Sequence, residues 1–258
     1  MKLYWRYFTI HLKSQMQHKT SFLMLIVGQF LATFTTFLGM YYMMSRFHQV
    51  DGFTLNEVLI SFAIISLAFA LAEMFARGFD SFAILIGNGE FDRMLVRPQN
   101  LMLQVLGSRI ELSRIGRFIQ ALLIFGFVLP NSNIQWTAMK ILTLCFMIIG
   151  GVVVFSSLFL LYASLCFFTI EGLEFINIFT DGGREFGQYP FSIYGNAVLK
   201  FLTFIVPLAL VQYYPLLFLL GRSQNSWFAF LPLVACLFVF PCYGMWRFGL
   251  KRYQSTGS

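Results

Sequence analysis

Residues 58–75 read VLISFAIISLAFALAEMF, an unbroken apolar run whose first charge is Glu73. A helix needs about 20 such residues to cross a hydrocarbon core of about 30 Å. A barrel strand would be about half as long and would alternate apolar with polar residues. The run therefore predicts a membrane-spanning helix. The whole chain agrees. It is 58% hydrophobic and 11% charged, with a mean hydropathy of +0.73. Soluble domains carry about 25% charged residues.

Outward from this run, comparable stretches occur at 21–44, 109–130, 138–168, 197–214 and 227–248. The expected fold is an all-α integral membrane protein with six transmembrane helices. Residues 138–168 exceed one crossing, which predicts a tilted helix, a break near Gly150-Gly151, or a projection into water. The segment MKLYWRYFTIHLKSQMQHKT at 1–20 is basic and amphipathic and lacks the small-residue cleavage site of a secretory signal.

Six spans put both termini on one side. On that topology all the Lys and Arg residues gather on the terminal side except Arg46, Lys140 and Arg222. Cytoplasmic loops carry such an excess. The expectation is a multi-pass membrane protein with both termini cytoplasmic. The net charge of +7 then reflects loops beside anionic lipid, with no nucleic acid as partner. Residues 1–258 are expected to form a single transmembrane domain. The segments 77–117 and 169–196, both expected to be cytoplasmic, are too short for cores of their own.

Several chemistries have no signature in the sequence. No GxxxxGK[ST] phosphate loop occurs. His11, His18 and His48 lie outside the apolar runs, and no HExxH is present. Cys145, Cys166, Cys236 and Cys242 show no CxxC spacing and read as small buried hydrophobes. No catalytic, cofactor-binding or metal site is expected. Glu57 falls at an outer end, Glu73 and Asp80 at an inner end, and Glu171 and Glu174 just past the fourth run. An ion-driven carrier usually holds a carboxylate near the midplane, and none of these reads as central.

Packing and polar features remain. Ala68, Ala72 and Ala76 recur every four residues, a small-residue stripe for close helix packing inside the chain, along a pathway, or against another subunit. Tyr4, Trp5, Phe8 and Leu12 share one helical face of residues 1–19, which suits an interfacial helix or a plain basic flank. Residues 89–100, GEFDRMLVRPQN, predict a short helix between breaks at Gly87/Gly89 and Pro98. Asp92, Arg93 and Arg97 would be exposed, while Phe91, Met94 and Leu95 pack. Residues 181–194, DGGREFGQYPFSIY, form a polar knot between apolar runs. Its glycines suit tight turns, Asp181, Arg184 and Glu185 suit local pairing, and Tyr189-Pro190-Phe191 suits a restart at headgroup level.

The 89–100 stretch resembles the loop between the second and third spans of ABC-2 type permeases, in a bacterial branch with a pattern close to G-x-x-D-x-x-L-x-R-P. Here those positions are Gly89, Asp92, Leu95, Arg97 and Pro98. The 181–195 knot and VPLALVQYYPLLFLLGR at 206–222 are similar to the same branch; Gln99 departs from it. The resemblance implies an ATP-driven exporter in which this chain supplies only the membrane half and is not itself an enzyme. Two permease chains, identical or related, would join two separate ABC ATPase subunits that hold the ATP and magnesium. The loop at 86–100 would be the coupling helix, with Glu90, Phe91, Asp92, Arg93, Leu95, Arg97 and Pro98 as the ATPase contact. Residues 213–222, bounded by Pro215 and Gly221, would form an outer re-entrant element. Asp181, Arg184, Glu185 and Tyr189 would make a cytoplasmic gate or brace, or a turn that merely connects spans. An ion-coupled secondary transporter and a non-transporting scaffold or immunity-type protein stay as alternatives.

Overall fold

The computed structural model of the chain describes residues 2–47, 49–132, 134–169 and 174–255. His48 and Glu171 lie outside the described residues, and so do the other residues of 170–173. The order is α1 (Lys2–Gln17), α2 (Lys19–Phe47), a hairpin of β1 (Gln49–Val50) and β2 (Phe53–Thr54), α3 (Leu55–Asp80), α4 (Phe82–Gly87), α5 (Glu90–Leu95) and α6 (Leu101–Ser108). After a 3-10 turn come α7 (Ile115–Asn131), α8 (Ala138–Leu165), α9 (Asn177–Gly187), α10 (Gly195–Phe204), α11 (Leu208–Val211), α12 (Tyr213–Leu219), α13 (Leu231–Ala235) and α14 (Val239–Arg252). Among the described residues five segments are long and apolar enough to cross a membrane, or six if the bent pair Phe191–Phe204 and Leu208–Leu219 counts as one. This is a multi-pass membrane protein.

The apolar run at 58–75 lies within α3, the central rod. From Val58 to Ala72 it carries no charge on any side, as suits a helix surrounded by other helices, and α7 and α8 pack along it. Its outer end starts cleanly. Asp51 and Gly52 hold positive φ in the tight β1–β2 turn, where Gly and Asp are the favoured residues. The Thr54 N–H donates to Glu57 at 2.7 Å, which supplies an acceptor that the first turn otherwise lacks. Arg222 reaches the same carboxylate and the Gly52 carbonyl, both at 2.7 Å.

Gly150-Gly151 does not break the fourth run, because α8 is continuous over 28 residues. The two glycines are contact points. A Cβ on Gly151 would stand 2.6 Å from the Ala68 Cβ, and one on Gly150 would stand 2.8 Å from the Pro232 carbonyl oxygen. Ala68, Ala72 and Ala76 are all buried within the chain.

Two expectations are corrected. Residues 197–214 do not form one straight span, since the chain bends by 90° between Phe204 and Leu208. Pro207 lacks an N–H and bars α geometry at Val206, so α10 cannot run on. The 181–194 knot is not a turn either. Asp181–Gly187 lies within α9, and neither Gly182 nor Gly183 has positive φ. These glycines allow close approach instead. A Cβ on Gly183 would meet Leu208 at 2.9 Å, and one on Gly187 would meet Ile65 at 3.1 Å. Because Ile65 sits in the middle of α3, α9 packs alongside the central rod. Phe191, expected at headgroup level, is fully buried.

The amphipathic N-terminus is helical and docked. Tyr4, Tyr7 and Phe8 pack on Met74, Ile110 and Leu112. Tyr4 donates to the Phe75 carbonyl at 2.9 Å and Gln15 to that of Ile110 at 2.9 Å. Trp5 is 59% exposed, and Leu12 is exposed too, which leaves an apolar edge free beside the docked stripe. The docked stripe runs through Tyr4, Phe8, His11 and Gln15, one position round the helix.

Candidate functional site

Glu73, Arg77 and Asp80 stand at i, i+4 and i+7 on α3, which places them on one face. Arg114, the last residue before α7, and Arg117 in its first turn oppose them. Glu73 is only 2% exposed and Arg117 7%. Arg117 is hydrogen-bonded to Glu73; Arg77 and Arg114 lie 3.2 and 3.4 Å from the other carboxylate oxygen. Arg77 also pairs with Asp80 at 3.1 Å. Glu111 accepts from Arg114 at 2.8 Å and Arg109 at 2.7 Å. Gln29 of α2 accepts from Arg114 at 2.8 Å and Arg117 at 3.3 Å. Four arginines thus share three carboxylates and one amide, joining α2, α3, the 109–114 linker and α7.

The location makes this cluster costly and therefore informative. A lone charge buried inside a protein costs several kcal/mol. Ionic groups persist there when paired and hydrogen-bonded. The ring of Phe69 lies 5.5 Å from the Arg117 guanidinium and 5.3 Å from that of Arg184. Arg184 of α9 also pairs with its neighbour Glu185. Burial alone would raise the Glu111 carboxyl, but Arg114, Arg109 and Arg77 outweigh it and hold it below the usual carboxylate range.

Sequence reasoning placed Glu73 and Asp80 at an inner end and missed the cluster. The available signal was charge at helical spacing inside apolar runs: Glu73/Arg77 on one and Arg114/Arg117 on the other.

Just beyond the rod, α5 forms as its sequence predicts. Gly89 precedes it at φ +66°, a conformation glycine adopts freely, and Pro98 follows its last turn. Asn100 caps α6 by accepting from the Leu103 N–H at 3.2 Å. Phe91 is fully buried, its ring centroid 4.9 Å from Phe82, 5.0 Å from Tyr253 and 5.6 Å from Phe167. Trp246 closes this aromatic box against Phe82 and Phe167 at 5.1 and 4.9 Å. Gln104 donates to the Met94 and Gln99 carbonyls at 3.2 and 3.3 Å, fixing the turn after α5.

The outward face departs from expectation at two residues. Asp92, expected to be exposed, faces the chain's own C-terminal end and accepts from Tyr253 at 3.0 Å and Ser255 at 2.6 Å. Leu95, expected to pack, is 44% exposed beside Val96 at 83%. Glu90, Arg93, Arg97 and Pro98 are exposed. The result is a rigid projection with mixed charge and an apolar tip. Tyr189 and Asp181 contribute less to the buried cluster than Arg184 does. Tyr189 offers its carbonyl to Gln212 at 3.5 Å, and Asp181 is exposed. Among the described residues no group of three or more His, Cys, Asp or Glu is placed to hold a metal ion.

A family model described as "ABC-2 family transporter protein" matches residues 30–257. No curated protein and no solved structure matches the chain.

Proposed function

Because the chain belongs to the ABC-2 family of transporter proteins, and so is a membrane permease of ABC type, we propose that it is the membrane half of an exporter driven by separate ATPase subunits. Helix α5 is the proposed coupling element. The observation that carries this reading is the opposition of its two faces. Phe91 and Asp92 are locked to α4 and to the C-terminal end of the chain, while Glu90, Arg93, Leu95, Val96 and Arg97 are left free to meet a partner. A short amphipathic helix on a stiff mount suits insertion into a groove. Force on it passes through Phe82 and Phe91 to the rod and so to the buried arginine cluster.

The same reading places α5 and both termini in the cytoplasm of a bacterial cell, with the ATP and magnesium held by the partner. It pairs two permease chains across their poorly covered helices. Helix α2 presents Leu23, Leu25, Val27 and Leu31 outward, a surface for lipid or for a second copy. No nucleotide-binding sequence belongs to this chain in the scheme, and none of its residues is assigned a catalytic role.

An ion-coupled carrier would draw on Glu73. That carboxylate, however, is taken up by Arg77, Arg114 and Arg117, which leaves neither oxygen free for a coupling ion. Purification from its native cell tests the proposal. An ATPase subunit is expected to accompany the wild-type chain and to be lost with Arg93→Glu/Arg97→Glu. Transport that persists after ATP depletion on an intact ion gradient would sink it.

A further inference from the structure

The elbow where α1 turns into α2 encloses a cleft of about 520 Å³, closed on its third side by the 109–114 linker. Its charge is unbalanced. Arg109 and Arg114 both line it, and its one carboxylate, Glu111, is divided between them. Arg109 is about half exposed, so N–H donors beyond its bond to Glu111 face the opening. Ser14, His18, Ser21 and Ser113 also line the cleft, and among the described residues none of their side chains has a hydrogen-bond partner.

The other wall is apolar. Phe22 and Leu25 of α2 face the cleft, and Leu25 is 58% exposed. From Lys19 at the elbow to Gln29 at the floor the helix rises about 15 Å. That is the depth of a lipid headgroup and its first acyl carbons. A surplus of cationic and hydroxyl donors at the mouth calls for an anion with several acceptor oxygens. The apolar wall calls for a hydrocarbon chain attached to it. Basic pockets between membrane helices suit such headgroups.

We propose that this cleft binds the phosphate of an anionic phospholipid from the surrounding leaflet. The phosphate sits on Arg109 with the Ser14 and Ser21 hydroxyls, and an acyl chain lies along Phe22 and Leu25. Bound there, the lipid bridges α1, α2 and the linker that feeds Glu111 and Arg114 into the buried cluster. Lipid composition thereby acts on the packing of α2 against α7.

The test uses the full chain, with whatever subunits accompany it, in nanodiscs of phosphatidylcholine containing a minor share of phosphatidylglycerol. Lipid retained through a detergent wash is measured by mass spectrometry. Wild type is expected to enrich phosphatidylglycerol. Arg109→Gln lowers the enrichment about fivefold, and Ser21→Trp, at an exposed position, lowers it by filling the cleft without altering charge. Arg247→Gln, an exposed arginine of α14, leaves it unchanged. No enrichment by wild type, retention by Ser21→Trp, or an equal loss with Arg247→Gln would overturn the proposal. Displacement of the lipid by equimolar inorganic phosphate would overturn it too, because the site would then be one for free phosphate.

Discussion

Tyr253 donates its hydroxyl to the carboxylate of Asp92 at 3.0 Å, across 161 residues of sequence. Burial, and then this bond, push the Tyr253 phenol up to about 12, so it remains a donor at any physiological pH. The chain beyond the last helix is thereby tied to the short helix α5. Tyr253→Phe is expected to cost about 1 kcal/mol, an ordinary value for one hydrogen bond. Its larger effect is on order: amide exchange across residues 89–98 accelerates. Asp92→Ala removes the acceptor of both Tyr253 and Ser255, and Tyr253→Phe removes one of its donors, so the double variant exchanges little faster than Asp92→Ala alone. Full additivity in that cycle would show that the clamp is not a unit.

Removing one member of a buried ionic cluster costs more than removing a matched set. Glu73→Gln leaves Arg77, Arg114 and Arg117 facing one another without their shared anion. The expected loss is about 3–5 kcal/mol, seen as a sharp fall in melting temperature in detergent. Glu73→Leu combined with Arg117→Met removes an acid and a base together and is expected to recover much of it. A double variant no more stable than Glu73→Gln would contradict the pairing.

What the sequence discloses follows the range of the forces involved. Hydropathy is a local sum, so the spanning segments emerged from it. Glycine and proline act on their own backbone, so Gly89 and Pro98 framed α5 correctly. Asp92 was misplaced because its partners lie at Tyr253 and Ser255, which no local pattern connects. The 181–194 knot misled for a related reason. Gly183 and Gly187 have the composition of a turn, yet they serve close approach to Leu208 and Ile65, a tertiary requirement that overrides propensity. The 90° bend after Phe204 was marked by Pro207, but the apolar run hid it.

The contact of α3 with α8 predicts a graded steric series. A methyl at position 151 would stand 2.6 Å from the Ala68 Cβ, so one helix must yield. Gly151→Ala is expected to cost about 1–3 kcal/mol, the usual range for overpacking, and Gly151→Leu to prevent accumulation of folded protein. Ala68→Gly opens the facing space and is expected to restore much of the melting temperature of Gly151→Ala. Wild-type stability of Gly151→Ala alone would mean that the helices are not in such close contact.

Acid should loosen the hold of Glu111 on the linker. The Glu111 carboxyl is held below its ordinary value of 4.5, because Arg114, Arg109 and Arg77 together outweigh the effect of burial. A carboxylate with a depressed folded value binds its proton more readily when unfolded. Its stabilisation is thus complete above the unfolded value and fades as the pH falls through the folded one. Melting temperatures of wild type and Glu111→Gln, followed from about pH 6 to about pH 3, are expected to differ most at the upper end and to converge at the lower. A gap that stays constant over that range would mean that Glu111 holds the linker by packing and not by charge. A gap that widens on acidification would reverse the sign assigned to its arginine neighbours.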